Sequence, residues 1–456
     1  MAFSLHRVPV PRPRDAHVRK YNDRCMKCLA LLLFLTPLTS GLRGQTPTYQ
    51  DDVDALYRIL QKTPAYKDQV RGARKKAYEA LYQSIRNDTS QPNGYFHDYH
   101  KLARLLFPLR DNHFGFNQMP AALLRREFFG NPDSVLAYRS SAFYRHYPRT
   151  SLDLDSLEAE LKRRNKDSVE GIYYYDRYLS VGLYRDDEMG RYTGVVLSSA
   201  LPAWERGQVA ITLYGKSPGT FRAVYGHPVY KNYVLVTNEK FQDHALVNAR
   251  FSSSVSSSCY RKDTLGADYV NLADSDIYFA FRNLSPSIQY VRVRTFTNYH
   301  VLAGESRKLL RLLRDSARAP HLIVDLRNNE GGNVRMGEGY VRFIREYARR
   351  NHVHVLVNNG TMSAGEIILL GLKGMDHVTV YGQTTRGTLA YGNNYGKTEM
   401  LPRGFYGLYV SDMKDKDNLL RYEDIGVAPD VILSASRDWL DQVRESIESG
   451  DRPRHP

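Results

Sequence analysis

The sequence is poor in cysteine, with three residues in 456. Cys25 and Cys28 fall within the first 44 residues, so a protein that had lost this segment would retain only Cys259. A single cysteine can form neither an intrachain disulfide nor a thiolate metal cluster. The context of Cys259, Ser-Ser-Ser-Cys-Tyr, does not mark it as reactive, so we expect a buried and inert thiol.

Long basic runs and long apolar runs are also lacking. The formal net charge is +15, of which the first 44 residues contribute +6 and the remainder +9. The densest basic stretch, residues 71–76, lies in a predicted helix, which favours a solvated surface over a nucleic-acid site. The apolar run at residues 29–35 is too short to cross a bilayer comfortably. We therefore expect no nucleic-acid partner.

Residues 26–41 have the pattern of a secretory signal. Met26-Lys27-Cys28 gives a basic start, an apolar stretch follows, and small residues extend to Gly41. The 25 residues before Met26 are long and charged for such a signal, so Met26 is the expected start of the protein. We expect residues 1–44 to be a leader that directs the protein to a secreted or periplasmic location. No stable membrane span should remain after cleavage, although a membrane anchor is the alternative.

Periodicity divides the remainder into three predicted domains. Helical spacing of Ala77, Leu81 and Ile85 is typical of the first, an N-terminal helical domain at 45–115. Strand-like runs between turns predict a mixed, mainly β middle domain at 116–287. In the segment 288–456, predicted strands lie at 288–296, 321–327, 353–358, 377–381 and 405–411, and predicted helices at 302–316, 333–350 and 363–374. That alternation predicts an α/β core with a largely parallel sheet.

Two strand-to-helix turns in this core could carry chemistry. The first ends in Gly331 and Gly332, and paired glycines allow close backbone approach with N–H groups that face a ligand. The second places Ser363 directly before a helical pattern. Ser363 and Glu366 fit a capping box, but a helix start also supplies free N–H donors to a nucleophile. An exposed serine with backbone donors is the minimum equipment for acyl transfer, so the turns indicate a serine hydrolase.

Four motifs together resemble the C-terminal processing, or tail-specific, serine peptidase family. In order they are Leu-Ile-Val-Asp-Leu-Arg-Asn-Asn-Glu-Gly-Gly (322–332), Thr-Met-Ser-Ala-Gly-Glu (361–366), Gly-Gln-Thr-Thr-Arg-Gly (382–387) and Glu-Asp-Ile-Gly-Val-Ala-Pro-Asp (423–430). The resemblance implies an α/β core with the spiral βα (ClpP/crotonase-like) architecture, an N-terminal helical domain and a β-rich middle domain. It also implies a protein or peptide substrate and no metal or organic cofactor.

The third motif lacks the lysine that some members of that family use as a base. Residues 385–388 read Thr-Arg-Gly-Thr, arginine stays protonated, and Lys397 is out of register. Asp111-Asn112-His113 instead resembles the histidine motif of the tricorn core protease, and Glu423 resembles its acidic residue. The resemblance therefore favours the branch that contains the tricorn core and the interphotoreceptor retinoid-binding proteins.

Membership of that branch implies a role for each residue. Ser363 would attack the peptide carbonyl, His113 would take its proton, and Glu423 would orient the histidine directly or through an intermediary. The N–H groups of Gly332 and Ala364 would form the oxyanion hole. The supporting residues would be Asn112, Gly331 and Glu366. One departure concerns Asn112, because a serine precedes the histidine in the tricorn protease.

Two other functions share this fold. Retinoid-binding modules of the same branch bind an apolar ligand without catalysis, and the related crotonase class acts on acyl-CoA. The intact set of Ser363, His113 and Glu423 favours a peptidase over a binding module. The leader counts against an acyl-CoA enzyme because CoA is intracellular. The sequence therefore predicts an exported serine endopeptidase of the tail-specific type.

Overall fold

The computed structural model describes residues 46–88, 94–120, 128, 130–186, 190–252, 257–263, 268–272 and 277–450. The predicted leader, with Met26, Cys25 and Cys28, lies outside the described residues. Within the described ranges, no helix combines the length and the apolar character that a membrane crossing needs. From Pro47 onward the chain forms one compact unit, so the predicted domain boundaries stay predictions.

The described chain begins with helices. They are α1 (Tyr49–Lys62), α2 (Pro64–Gln69), α3 (Ala73–Arg86) and α4 (Tyr95–Ala103). Thr48 caps α1, since its hydroxyl accepts the Asp51 N–H at 3.3 Å while the Asp51 carboxylate accepts the Thr48 N–H at 2.7 Å. The apolar face of α1 is buried, and Tyr49 donates from its hydroxyl to the Ile85 carbonyl on α3. The loop after α4 carries His113.

A closed antiparallel sheet follows the helices. Its eight strands are β2 (Gly171–Tyr175), β3 (Leu179–Arg185), β4 (Arg191–Ser199), β5 (Val209–Ser217), β6 (Thr220–Gly226), β7 (Tyr233–Gln242), β8 (Ala245–Ser252) and β9 (Ser257–Arg261). They follow the order β7-β6-β5-β4-β3-β2-β9-β8, and β8 pairs again with β7, which closes the sheet. Short helices α5 (Pro132–Arg139), α6 (Ala142–Arg145) and α7 (Leu154–Leu161) precede it.

The second sheet is mixed and largely parallel. It has the order β10-β11-β12-β13-β14-β17, in which only the β10–β11 pair is antiparallel. The strands are β10 (Phe279–Asn283), β11 (Ile288–Val293), β12 (His321–Asp325), β13 (His352–Val357), β14 (Val378–Gly382) and β17 (Val431–Ile432). The helices that accompany them are α8 (His300–Ser316), α9 (Val334–Tyr347), α10 (Ala364–Leu370) and α11 (Trp439–Ser449). The parallel α/β core that the sequence predicts is therefore present.

One predicted core strand belongs to the other sheet. The segment predicted at 405–411 forms β16 (Tyr406–Tyr409), which pairs antiparallel with β1 (Gly115–Gln118) and with β15 (Thr398–Met400). These three strands extend the closed sheet from β7. Tyr406 is fully buried and its ring packs near the rings of Tyr99 and Phe116, so aromatic packing with the N-terminal region places this strand. The two-residue strand β17 takes the place beside β14 instead.

Candidate active site

Ser363 lies in a strained turn between β13 and α10. Its backbone has φ +54° and ψ −125°, a region that side-chain-bearing residues rarely occupy. The Ser363 N–H donates to the Thr388 carbonyl at 2.8 Å and to a Glu366 carboxylate oxygen at 3.1 Å, and these bonds hold the turn. A sharp strand-to-helix turn of this kind presents a serine hydroxyl at the carboxyl edge of the sheet.

The Ser363 hydroxyl meets the imidazole of His113. The distance between Ser363 Oγ and His113 Nε2 is 3.0 Å, although the two residues are 250 positions apart in the chain. Burial and, to a smaller extent, the positive charge of Arg386 lower the pKa of His113 to about 4. The imidazole is therefore neutral at pH 7 and has a free lone pair that can accept a proton from the hydroxyl.

Glu423 contacts the backbone next to His113 and does not contact the imidazole ring. Its carboxylate accepts the N–H groups of Asn112 at 2.7 Å, Leu389 at 2.8 Å and Ala390 at 2.9 Å. Burial raises the pKa of Glu423 to about 8, while these three donors favour its ionised form. Among the described residues, His113 Nδ1 has no hydrogen-bond partner. Glu423 thus fixes the loop that carries the histidine.

The Asn112 side chain turns away from His113. Its amide donates to the Gly387 carbonyl at 2.7 Å and to Asp424 Oδ1 at 3.0 Å, and its oxygen accepts the Thr237 hydroxyl at 2.8 Å. The asparagine that replaces the tricorn serine therefore does not link Glu423 to the His113 ring. Its three bonds instead attach the histidine loop to the closed sheet and to the segment around Gly387.

Two further residues, to which the sequence analysis assigned no role, also hold this loop. Arg110 donates to Asp424 Oδ2 at 3.0 Å and to the Glu423 carbonyl at 2.5 Å. Asp111 is buried, and its carboxylate accepts the His113 N–H at 3.1 Å and the Ser411 hydroxyl. Burial raises the pKa of Asp111 to about 7. Both residues lie shortly before His113 in the chain, and this proximity was the only signal that the sequence offered for them.

Gly331 and Gly332 bring the first motif against the serine turn. Their φ values are +84° and +129°, and a Cβ on Gly331 would lie 2.8 Å from the Ala364 nitrogen. The Gly331 N–H donates to Asn329 Oδ1 at 2.9 Å. The N–H groups of Gly332 and Ala364, in contrast, find no acceptor anywhere in the described part of the chain. Two free backbone donors beside a serine can stabilise a developing oxyanion.

Glu366 connects the serine turn to the third motif. The buried carboxylate accepts the Thr385 hydroxyl at 2.6 Å and the N–H groups of Gly387 at 2.7 Å and Thr388 at 2.9 Å. Burial raises the pKa of Glu366, against the effect of these donors. Local sequence indicated Glu366 only as a helix cap. Its hydrogen bonds to residues about 20 positions later could not be predicted from the sequence, apart from the presence of the third motif there.

Two lysines close to the third motif, one in sequence and one in space, differ in setting. The Lys397 side chain is 70% exposed and pairs with Glu399 at 2.5 Å, so it is not brought to Ser363. Lys240 on β7 is largely buried and donates to the carbonyls of Arg386 at 3.2 Å and Ile425 at 3.1 Å. Burial lowers the pKa of Lys240 to about 8. Nothing in the sequence around Lys240 had distinguished it from a surface residue of the closed sheet.

Cys259 and the histidines of β13 lie outside this site. Cys259 is buried, and burial raises the pKa of its thiol, as expected for an inert cysteine. His354 Nε2 lies 3.1 Å from His321 Nδ1, and the ring of His352 stacks on that of His321. In the residues that the structure covers, no group of three or more His, Cys, Asp or Glu is arranged to hold a metal ion.

A seryl hydroxyl, a neutral imidazole and two free N–H groups at a strand end form a geometry typical of serine-type hydrolases. Residues 337–433 match the family model of Peptidase family S41. The matched segment contains Ser363 and Glu423 and ends before α11, while His113 and the paired glycines precede it. No curated protein sequence matches the chain.

Solved structures with a similar fold include three of different kinds. The photosystem II D1 C-terminal processing protease is 16% identical over 90% of this chain and 100% of that chain, with a TM-score of 0.35. The tricorn protease is 12% identical over 89% of this chain and 36% of that chain, with a TM-score of 0.37. A lipoprotein from Streptococcus agalactiae is 12% identical over 92% of this chain and 99% of that chain, with a TM-score of 0.36.

Proposed function

We propose that this protein is a serine endopeptidase that hydrolyses peptide bonds with Ser363 as nucleophile and His113 as general base. The observation that supports this proposal most strongly is the 3.0 Å contact between Ser363 Oγ and His113 Nε2. It occurs in a strained turn, next to the free N–H groups of Gly332 and Ala364. The match of residues 337–433 to Peptidase family S41 supports a peptide substrate.

The reaction follows from these positions. His113 Nε2 takes the proton from Ser363 Oγ as the oxygen attacks the scissile carbonyl. The N–H groups of Gly332 and Ala364 donate to the oxyanion of the tetrahedral intermediate. The imidazolium then gives its proton to the leaving amine, and the acyl group stays on Ser363. Water attacks this acyl-enzyme with His113 again as base, which releases the acid product and restores the serine.

Glu423 acts as a positioning residue in this proposal. It holds the Asn112 N–H at 2.7 Å and so fixes the loop in which the next residue is His113. We place the protein in the tricorn-like branch because the base comes from the loop after the N-terminal helices. We also propose that its core follows the spiral βα (ClpP/crotonase-like) arrangement of that branch.

Reaction with a fluorophosphonate probe tests the proposal. The probe forms a covalent bond only with an activated serine, so the wild-type protein should be labelled and Ser363→Ala should not. Peptide mapping of the labelled protein should find the adduct on Ser363. A folded wild-type protein that is not labelled, yet binds an apolar ligand such as retinol, would instead be the non-catalytic binding module of the same branch.

We further propose that the protein is exported to the periplasm or secreted. The support is the basic start, the apolar stretch 29–35 and the small residues that follow it. Fractionation of the native host, combined with N-terminal sequencing of the recovered protein, tests this. We expect a mature N-terminus near residue 45 in the exported fraction, and full-length protein in the cytoplasmic fraction alone would contradict the proposal.

A further inference from the structure

The side chain of Arg386 lies beside the nucleophile turn. The Arg386 N–H donates to the Thr361 carbonyl at 3.1 Å, which ties the third motif to the turn that presents Ser363. Arg386 Nη1 lies 3.4 Å from the sulfur of Met362, the residue before Ser363. Arg386 Nη2 donates to the Asn248 carbonyl on β8. Arg386 as a whole residue is intermediate between buried and exposed.

In the described ranges of the chain, no carboxylate pairs with this guanidinium at short range. The carboxylates of Glu239, Glu366 and Glu330 act on Arg386 only as more distant charges. Of these, Glu366 is bonded to the third motif, and Glu239 accepts the Tyr225 hydroxyl at 2.7 Å and backbone N–H groups of β8. Glu330 is exposed to solvent.

Most of the donors of Arg386 are therefore available. A guanidinium has five N–H groups, and within the described residues the Arg386 guanidinium contacts one thioether and one carbonyl. A thioether sulfur is a weak acceptor, so this contact is easily replaced. A carboxylate is the partner that best matches the planar fork of a guanidinium, because it accepts two parallel hydrogen bonds.

The position of Arg386 also affects the chemistry at His113. The positive charge of Arg386 disfavours the imidazolium that forms when Ser363 loses its proton, and it lowers the pKa of His113. A carboxylate bound to Arg386 would neutralise this charge. Binding of an anionic substrate group and proton transfer to His113 would then favour each other.

We propose that Arg386 binds a carboxylate of the peptide substrate next to Ser363, and that the enzyme consequently prefers acidic peptides. The carboxylate is the side chain of an Asp or Glu residue of the peptide. A C-terminal carboxylate offers the same two oxygens and is the alternative that the test separates. This inference rests on the proposed peptidase function and adds a substrate class to it. Arg386 acts as a specificity residue for that class.

The test compares matched peptides within each protein variant. A fluorogenic peptide that the wild-type enzyme cleaves is prepared with a single Glu, or its isostere Gln, at each position in turn. A second pair carries either a free C-terminal carboxylate or a C-terminal amide. The measured quantity is the ratio of kcat/KM for the acid peptide to that for its neutral partner. This ratio does not depend on the fraction of active enzyme.

We expect wild type to prefer at least one acid peptide by about tenfold or more, as a charge-assisted hydrogen-bond pair would give. The Glu pair and the C-terminal pair reveal which carboxylate is bound. In Arg386→Gln and in Arg386→Met the ratio should fall to about one, and Arg386→Lys should retain part of it. Lys397→Gln is the control, because Lys397 is an exposed cation on the same chain segment, and its ratio should equal that of wild type.

Several outcomes overturn the proposal. A wild-type ratio near one for every pair, or an unchanged ratio in both neutral variants, removes the role of Arg386 as a carboxylate-binding residue. If the neutral variants do not fold, the wild-type ratios and Arg386→Lys still decide the matter. Fluorophosphonate labelling distinguishes a failure of the proposed peptidase function from a failure of the proposed acidic preference. Labelling of Ser363 with ratios near one contradicts only the acidic preference, whereas absent labelling contradicts the peptidase function and this inference with it.

Discussion

The two edges of the parallel sheet present two histidine contacts that look alike. At the carboxyl edge, His113 Nε2 lies 3.0 Å from Ser363 Oγ. At the amino edge, His354 Nε2 lies 3.1 Å from His321 Nδ1. Burial is the main cause of a lowered pKa in both places, to about 4 for His113 and to about 3 for His354. Neither the contact distance nor the titration of the histidine distinguishes the two edges.

The backbone around the histidine contact differs between the two edges. The carboxyl edge has a strained serine turn, a helix start and the free N–H groups of Gly332 and Ala364. At the amino edge, His354 lies within a strand, paired with Ile323 on one side and Thr379 on the other, and the His352 N–H donates to the Pro320 carbonyl at 2.8 Å. Perturbed histidines therefore mark a site only where unpaired donors and a nucleophile accompany them.

The largest expected effect comes from removal of the hydroxyl at the carboxyl edge. Ser363→Ala should reduce casein hydrolysis by on the order of 10⁴-fold or more, because no other group can form the acyl-enzyme. The thermal unfolding midpoint should stay close to that of wild type. Turnover near the wild-type rate in this variant would show that another residue is the nucleophile.

The base should be the next most sensitive position. His113→Ala should lose on the order of 10³-fold or more in kcat/KM, whereas Lys397→Ala should stay within about twofold of wild type. The reason is that Lys397 is solvated and paired with Glu399, while the His113 imidazole contacts the Ser363 hydroxyl. One fluorogenic peptide assayed with both variants suffices. Loss of activity in the lysine variant alone would indicate a Ser–Lys dyad.

Positioning of the histidine loop should have an intermediate effect. In Glu423→Gln an amide nitrogen replaces one of the oxygens that accept backbone N–H groups, so the loop with His113 should shift. We expect kcat to fall by about 10- to 100-fold with a small change in KM, since misplacement of a catalytic group affects the transition state. Glu448→Gln, on the exposed face of α11, is the matched control. Equal kcat in both variants would show that Glu423 does not position the catalytic histidine.

The smallest effect concerns pH and sharpens the comparison between the edges. The pKa of each buried histidine is lower in the folded state than its ordinary value, so the unfolded chain binds more protons on the acid side. The stability that each histidine contributes is present above about pH 6.5. It is lost as pH falls toward about 4 for His113 and toward about 3 for His354.

Substitution by glutamine should make acid unfolding less steep at either edge. In His113→Gln, the free energy of unfolding that is lost between neutral and acid pH should decrease by at most about 3 kcal/mol. The change should have the same sign in His354→Gln. Urea unfolding at several pH values measures it. Only His113→Gln should also lose peptidase activity. A loss of activity in both variants would mean that the two edges are coupled and that the comparison fails.

Prediction from sequence was most successful where the signals are local. The strands that flank the site were located within a few residues because apolar runs end in turn residues, as at 321–327 and 353–358. The Ser363 turn was identified for the same reason. The strand at 406–409 was predicted in the wrong sheet, because its partner β1 lies almost 300 residues earlier and no local pattern encodes that pairing.

The contacts of the histidine loop were also beyond prediction. The resemblance implied that Glu423 orients His113, but the carboxylate binds the Asn112 N–H across 311 residues of sequence. Likewise, the amide of Asn112 turns to Asp424 and Thr237. Side-chain direction at such a loop depends on which donors and acceptors the fold brings near, and sequence spacing alone does not contain that information.

The sequence by itself determined the strands, the two turns with their glycines and serine, and the absence of a lysine in the third motif. These follow from the backbone preferences of single residues and short apolar runs. Only the tertiary structure decided that His113 contacts Ser363, that two N–H groups beside it find no acceptor among the described residues, and that no carboxylate of those residues pairs with Arg386. Such proximity arises only when buried apolar surfaces close the loops between distant segments, because hydrophobic burial offsets the entropy of bringing them together.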